Sequence, residues 1–237
     1  MTKSCVGENM ELTDLYTYAF LETPHSPLVL PQGVRGPVTL VTGNQVSAVV
    51  EPGISPVFWE SDDEKIVQMA VCHDRVICEM FRQVTILPLR FGTCFDSLDN
   101  LLKHLAWQEK EYKFQLDKIR NKTELTLKLI PHTFLEPVVS EKGGRNYFLA
   151  KKQEYENQKN FVNTQNIEKQ NLIDLITKEY NLPTVVQEQK EGIKIYVLIN
   201  TNEKIHLEEK FLNWQQACPR WDLVWGDCLP PYHFIEH

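Results

Sequence analysis

Apolar residues in the first half of the chain cluster in runs that predict the strands of a sheet. Residues 15–21 form a nearly continuous apolar and aromatic run, typical of a buried strand. Residues 38–41 and 46–51 are rich in β-branched side chains and are separated by a Thr-Gly-Asn-Gln turn, which predicts a hairpin. Another short strand is predicted at residues 85–89. An N-terminal sheet therefore follows from the pattern alone.

Two other segments of this half have the apolar spacing of amphipathic helices. Residues 61–82 carry an apolar stripe at helical spacing, and Ser61 with Glu64 forms a capping box at its start. Residues 97–120 carry a leucine-rich stripe in which Glu109 is the one discordant residue. Both helices are expected to pack their apolar faces on the sheet.

The second half repeats the alternation of strands and helices after a loop rich in proline and glycine. Residues 124–130 alternate apolar and polar positions, as a half-buried strand does. The helical segment at 147–180 has four asparagines in its polar middle, which argues against one unbroken helix. Strands follow at 183–187 and 193–199, and Asn202 is placed to cap a further helix.

The order of these elements predicts two domains in an α+β protein. Including a terminal strand in the aromatic C-terminal run, the second half has the strand and helix order of a ferredoxin-like domain. We predict a boundary near Asn121. Residues 1–121 would form a mixed sheet with two amphipathic helices, and residues 122–237 a ferredoxin-like α+β domain with an aromatic terminal run.

Charge and composition narrow the classes of partner. Twenty-five basic and thirty-two acidic side chains give a net charge of -7, which repels phosphate groups, so we expect neither nucleic acid nor an anionic membrane as a partner. The start of the chain lacks the features of a secretory signal, and no stretch approaches about eighteen apolar residues. We therefore expect a cytoplasmic protein with no membrane insertion and with reduced cysteines.

Candidate catalytic and ligand-binding residues are sparse. The ten glycines form no phosphate-binding motif, and the histidines and cysteines lack the spacing of a zinc site, so we expect neither cofactor nor metal. His73 lies on the apolar stripe of the first helix, and Cys72 and Cys78 are close to it in sequence. One hypothesis is that His73 acts as the base for one of these thiols as a nucleophile. Because no orienting group can be named, the pattern favours a buried, hydrogen-bonded histidine and no enzyme.

The most unusual passage of the chain combines a strand that ends at proline, an arginine between two apolar residues, and a Gly-Thr turn. Its residues are Leu87, Pro88, Leu89, Arg90, Phe91, Gly92 and Thr93. Proline there suits an edge strand or a strand end. Arg90 either forms an internal ion pair or binds a ligand or partner, and the physical argument favours the internal pair.

This passage resembles the LPLRFGT motif of the gas vesicle protein family GvpF/GvpL, and of GvpF in particular. The helix segment that contains His73 and the Pro-Pro-Tyr sequence at 230–232 support the match, whereas residues 221–229 differ from the Gly-Pro-Trp run expected there. The resemblance implies an accessory or minor structural protein of gas vesicles, the hollow shells that give some prokaryotic cells buoyancy. It also implies no enzymatic activity, no cofactor, and a cytoplasmic location associated with the vesicle.

The partners that the resemblance implies are the major gas vesicle shell protein and other vesicle accessory proteins. The C-terminal run either docks in the core or contacts such a partner, because aromatic residues serve both purposes. Its candidate contact residues are Trp225, Pro231, Tyr232 and Phe234.

Two other functions stay open at this point. One is a small-molecule enzyme or sensor on a ferredoxin-like scaffold, in which Arg90 grips an anionic ligand and His73 acts as acid or base. A concave pocket that joins both residues would favour this function, and tight burial of both would favour the assembly role. The other is a general adaptor unrelated to vesicles.

Overall fold

Residues 13–55, 63–135, 144–179 and 181–235 are described by the computed structural model. They divide into two compact units. The first unit comprises the described residues up to Asn121 together with those from Leu229 onward, and the second unit comprises Lys122–Cys228. The end of the aromatic run, from Leu229 onward, therefore groups with the first unit, whereas the predicted division assigns it to the second.

The first unit is a five-stranded sheet with two helices. Its strands are β1 (Thr13–Glu22), β2 (Thr39–Thr42), β3 (Val46–Pro52), β4 (Ile86–Pro88) and β5 (Cys94–Ser97). Its helices are α1 (Asp63–Phe81) and α2 (Leu98–Ile119). The strand order is β2-β3-β1-β4, and β5 also pairs with β1.

The prediction of a mixed sheet in this unit is wrong, because its strand pairs are antiparallel. A helix between two strands, as α1 is between β3 and β4, allows a parallel pair of neighbours. However, β1 lies between β3 and β4, so each of these strands pairs with an antiparallel partner. Strand β5 was not predicted at all, since its four residues pair with the start of β1 and have no alternating pattern of their own.

Strand β1 is buried on both faces of the sheet, which explains its continuous apolar sequence. Tyr16 and Tyr18 lie in the apolar cluster that α1 completes, whereas Leu15 and Phe20 lie in the cluster that α2 completes. The register with β3 shifts between Thr17 and Ala19, which leaves Tyr18 as the extra residue of a β-bulge. Because of the bulge, the consecutive residues Tyr18 and Ala19 both lie in the cluster that α1 completes.

Glu109 of α2 anchors the hairpin turn between β2 and β3. Its carboxylate accepts hydrogen bonds from Asn44 Nδ2 at 3.3 Å and from the Gln45 amide at 3.1 Å. Lys113 Nζ, one turn further along the helix, donates to Gln45 Oε1 at 2.6 Å. The discordant residue of the leucine stripe thus lies at the edge of the stripe and fixes a turn. At the start of α2, Ser97 Oγ accepts from the Asn100 amide at 3.3 Å, whereas Ser61 of the predicted capping box lies outside the described residues.

The second unit is a four-stranded antiparallel sheet with two helices. Its strands are β6 (Lys122–Pro131), β7 (Thr184–Gln189), β8 (Gly192–Asn200) and β9 (Trp221–Leu229), in the order β7-β8-β6-β9. Its helices are α3 (Arg145–Asp174), which continues as a π-helical turn at Leu175–Glu179, and α4 (Lys204–Ala217). Apolar residues of β6, β8, both helices and β9 share one core cluster.

The prediction that the polar middle would interrupt α3 is wrong, since Arg145–Asp174 is one α-helix. Buried polar side chains hold the helix at 165–168, before the apolar residues of its last turn. Gln165 Nε2 donates to the carbonyl oxygens of His132 at 3.1 Å and Arg220 at 2.9 Å. Glu168 accepts from the Arg220 amide at 3.0 Å and forms an ion pair with its guanidinium. A pattern of apolar positions alone cannot reveal such contacts.

The cap predicted for α4 at Asn202 is also wrong. Asn202 lies in a 3₁₀ turn at Thr201–Glu203, and the residue at the N-cap position is Glu203. Its carboxylate accepts from the Asn200 amide at 3.3 Å, so Glu203 closes the turn between β8 and α4. The described chain as a whole is an α+β protein with two antiparallel sheets and four α-helices.

Candidate functional site at the LPLRFGT turn

His73 lies on the inner face of α1 and is only 6% exposed. Its Nε2 is 3.0 Å from the Leu89 carbonyl oxygen, and its Nδ1 is 2.8 Å from the Tyr16 hydroxyl. Because a carbonyl oxygen only accepts, Nε2 carries the proton and Nδ1 accepts from Tyr16. Burial lowers the pKa of His73 and outweighs the opposing effects of the Leu89 carbonyl and Asp74. The ring is therefore held neutral.

Aromatic rings surround His73. Tyr18 stacks on it with centroids 5.4 Å apart and an interplanar angle of 28°. Phe91 meets it edge-on at 5.8 Å and is itself 39% exposed. Phe91 thus covers the histidine on one side and reaches the surface on the other.

The same histidine and tyrosine hold both ends of the turn that follows β4. The Gly92 amide donates to the Tyr16 hydroxyl at 3.4 Å, so a chain of hydrogen bonds runs from Gly92 through Tyr16 and His73 to the Leu89 carbonyl. The Thr93 hydroxyl closes the turn by donating to the Arg90 carbonyl at 2.7 Å. Gly92 has φ +86°, a conformation that favours glycine at the third position of such a turn.

The turn is also hydrogen-bonded to strand β1 on both sides of the bulge. The Leu89 amide donates to the Tyr18 carbonyl at 3.0 Å, and the Thr17 amide donates to the Thr93 carbonyl at 2.9 Å. The sequence motif therefore encodes a turn that is fixed by backbone bonds to β1 and by side chains of β1 and α1. Residues of this network are up to 76 positions apart in sequence, so spacing could not have identified them.

A buried carboxylate next to this network escaped the sequence analysis. Glu51 at the end of β3 is 2% exposed and accepts four hydrogen bonds. The Tyr18 hydroxyl donates at 2.6 Å, and three successive backbone amides of Val34, Arg35 and Gly36 donate at 2.6 to 2.9 Å. Burial, together with the adjacent carboxylate, raises the pKa of Tyr18. A lone acidic residue that ends an apolar strand was the only signal in the sequence.

The proposed role of Arg90 in an internal ion pair is wrong. Its side chain is exposed, and within the part of the chain that the structure describes no carboxylate pairs with its guanidinium. The turn needs the backbone of Arg90, whose carbonyl accepts from Thr93, but not its charged group. The guanidinium of Arg90 therefore does not stabilise the fold through an ion pair, and a contact with a ligand or partner is the remaining one of its two predicted roles.

Arg90 lines a groove of about 480 Å³ on the first unit. Pro88 and Leu89 line it from β4 and the turn, and His104 and Gln108 line it from α2. His73 lies in the core and is not among the lining residues. This groove therefore does not join His73 with Arg90, and the two residues are not both buried, because Arg90 is exposed.

The geometry also argues against His73 as the base of a thiol nucleophile. Both ring nitrogens are engaged with Tyr16 and Leu89. The Cys72 sulfur instead accepts from Arg75 Nη2 at 3.3 Å. Burial raises the pKa of the Cys78 thiol, which disfavours the reactive thiolate.

The residues predicted as partner contacts lie in two different units. Trp225 belongs to β9 of the second unit and stacks on Trp214 with centroids 6.4 Å apart. Pro231, Tyr232 and Phe234 belong to the first unit, where the Tyr232 hydroxyl donates to Asp74 Oδ1 at 3.0 Å. Tyr232 also packs against the apolar cluster completed by α1. The segment at 231–234 therefore packs on the first unit, with the rings of Tyr232 and Phe234 only partly buried.

The described residues provide neither a metal-binding cluster nor a membrane-spanning helix. These residues contain no group of three or more His, Cys, Asp or Glu side chains that could hold a metal ion. Among the described helices, none combines the length and apolar character needed to cross a membrane.

Comparison with known proteins agrees with the resemblance seen in the motif. The family model described as gas vesicle synthesis protein GvpL/GvpF matches residues 14–236. The fold is similar to the crystal structure of the gas vesicle protein GvpF from Anabaena sp. PCC7120, with a TM-score of 0.69 and 14% identity, covering 95% of this chain and 98% of that one. GvpF from Microcystis aeruginosa gives a TM-score of 0.67 at 14% identity, covering 94% and 98%. No curated protein matches the sequence significantly. The predicted resemblance is confirmed, and the chain belongs to the GvpL/GvpF family of gas vesicle proteins.

Proposed function

We propose that this protein takes part in gas vesicle assembly by binding the hydrophobic shell protein or another vesicle protein, and that it is not an enzyme. Family membership supports the connection with vesicles. The observation that carries the binding role is the LPLRFGT turn, which a buried network holds in place while Arg90 and Phe91 remain exposed. A preorganised surface of this kind loses little entropy on binding.

The surface of the described residues supports a role in protein contacts. Large apolar side chains are exposed on α2, where Trp107 is 80% and Phe114 is 65% accessible. Aromatic residues are enriched in protein interfaces, whereas isolated exposed side chains need no special explanation. The acidic net charge of -7 keeps such a protein dispersed while it presents apolar contacts.

We further propose that the two units act as domains and that the second unit is ferredoxin-like. The order β7-β8-β6-β9, with α3 after β6 and α4 after β8, supports this classification. The location that fits the proposed role is the cytoplasm, in association with the vesicle or its precursors. Other vesicle accessory proteins are candidate partners as well.

Binding to the major shell protein is the direct test of this proposal. We expect the purified full-length chain to co-elute with the shell protein in size-exclusion chromatography and to reduce the amount that pellets on centrifugation. An unrelated acidic protein of similar size serves as the control. If the chain neither co-elutes with the shell protein nor changes its pelleting, the binding role is wrong.

The neutral state of His73 leads to a second expected result. The pKa of His73 in the folded state lies below the value of about 6.5 in an unfolded chain, so the unfolded state takes up the proton first. The stability that comes from keeping His73 neutral is fully present above the unfolded-state pKa. It is lost as the pH falls from there towards the lower folded-state pKa. Urea denaturation at about pH 7.5 and pH 5.5 measures this loss, and the His73→Gln variant should show a smaller decrease.

His104 is the control for this measurement, because burial lowers its pKa too. The His104→Gln variant should remove a separate part of the same decrease. If the His73→Gln variant loses as much stability between the two pH values as the unmodified chain, His73 is not held neutral by the fold.

A further inference from the structure

The groove beside Arg90 combines apolar and polar walls. Phe20 and Leu87 contribute buried apolar surface from the sheet, and His104 and Gln108 contribute polar groups from α2. Pro88 lines the same groove and has no amide hydrogen to donate, so this edge of β4 presents little backbone for strand pairing. The groove therefore suits side chains that enter it more than a strand that extends the sheet.

An aliphatic side chain of the C-terminal segment forms part of the groove wall. Ile235 lines it and packs against the apolar cluster completed by α2. It follows the 3₁₀ turn Tyr232–Phe234, which is held by the hydrogen bond from Tyr232 to Asp74 and by the buried Pro231. The terminal segment thus adds an aliphatic surface to the groove, against which an entering aliphatic side chain can pack.

The charge of the groove indicates what should accompany such a side chain. The Arg90 guanidinium is exposed, and no carboxylate of the described residues forms an ion pair with it. Glu111, an acidic residue that also lines the groove, accepts a hydrogen bond from Gln115 at 2.8 Å instead. Arginine at the border of an apolar groove favours a planar carboxylate as its partner.

Exposed aromatic side chains extend the apolar surface next to the groove. Trp107 and Phe114 lie on α2 four and three positions from Glu111, which lines the groove. Residues at these spacings are neighbours on a helix surface. A segment that enters the groove can therefore continue over these two rings.

We propose that this groove is the docking site for a segment of the hydrophobic shell protein that presents an aliphatic side chain next to a carboxylate. The aliphatic side chain packs beside Ile235 against the groove wall, the carboxylate pairs with Arg90, and the adjoining residues of the segment cover Trp107 and Phe114. This inference rests on the proposed function and assigns it a site and a chemistry of recognition.

The test compares the affinity of full-length variants for the major shell protein. Arg90→Ala is expected to weaken binding at least about tenfold, and Trp107→Ala to weaken it about threefold to tenfold. Arg82→Ala is the matched control, because Arg82 is exposed at the end of α1 and does not line the groove; its binding should be unchanged. Thermal denaturation should give the Arg90→Ala variant the melting temperature of the unmodified chain, since the guanidinium has no ion pair to lose.

The outcomes separate this inference from the proposed function. If the unmodified chain does not bind the shell protein, the proposed function fails and the docking site with it. If the unmodified chain binds and the Arg90→Ala variant binds equally well, the docking site is overturned while the proposed function stands. Loss of binding in the Trp107→Ala variant alone would also overturn it, because the contact would then lie on α2 outside the groove.

Discussion

The Glu51→Gln substitution is expected to lower the free energy of unfolding by about 3 kcal/mol. Glu51 is buried, and its carboxylate accepts hydrogen bonds from the Tyr18 hydroxyl and from three successive amides. Glutamine replaces one acceptor oxygen with an NH₂ group, which cannot accept a hydrogen bond and would face N–H or O–H donors. Urea denaturation of the full-length chain measures the effect.

Glu22 provides the matched control for this substitution. It lies on the neighbouring strand β1, is exposed, and forms its ion pair with Arg120 at the surface. The Glu22→Gln substitution should change the free energy of unfolding by less than about 1 kcal/mol. Equal effects of the two substitutions would show that the amides of the loop at 34–36 do not depend on Glu51.

The Trp214→Ala substitution is expected to cost about 3 to 5 kcal/mol of stability in the second unit. Trp214 of α4 is fully buried and belongs to the core cluster of that unit, so its removal leaves a large cavity. The measurement is loss of near-ultraviolet circular dichroism on heating, which reports the packing of aromatic side chains.

Leu212 is the control on the same helix. It is 68% exposed, and Leu212→Ala should change the free energy of unfolding by no more than about 0.5 kcal/mol. If Trp214→Ala unfolds at the same temperature as Leu212→Ala, α4 does not pack on the sheet through Trp214.

Elements with a dense apolar pattern could be predicted from the sequence. Strand β1 was predicted because both of its faces are buried, and α2 because its leucines face the sheet at helical spacing. Strand β5 and the unbroken α3 could not be predicted in the same way. Strand β5 exists through pairing with β1, and α3 is held by the polar side chains of Gln165 and Glu168.

The position of the candidate site could be predicted from the sequence, but the contacts of its side chains could not. The motif indicated a turn and an arginine of unusual context, and both lie where a functional surface is proposed. The bonds that fix the turn join His73, Tyr16 and Gly92, which are far apart in sequence. Whether Arg90 forms an ion pair depends on which carboxylates the fold brings near it, and the pattern along the sequence does not show this.

Gas vesicle formation in cells that lack this protein is the most direct test of the central claim. Cells that normally make vesicles would be compared with a deletion strain and with the same strain carrying the intact gene, by electron microscopy and by turbidity that collapses under pressure. The account predicts that the deletion strain makes few or malformed vesicles and that the intact gene restores them. Normal vesicles in normal number without the protein would contradict a role in assembly.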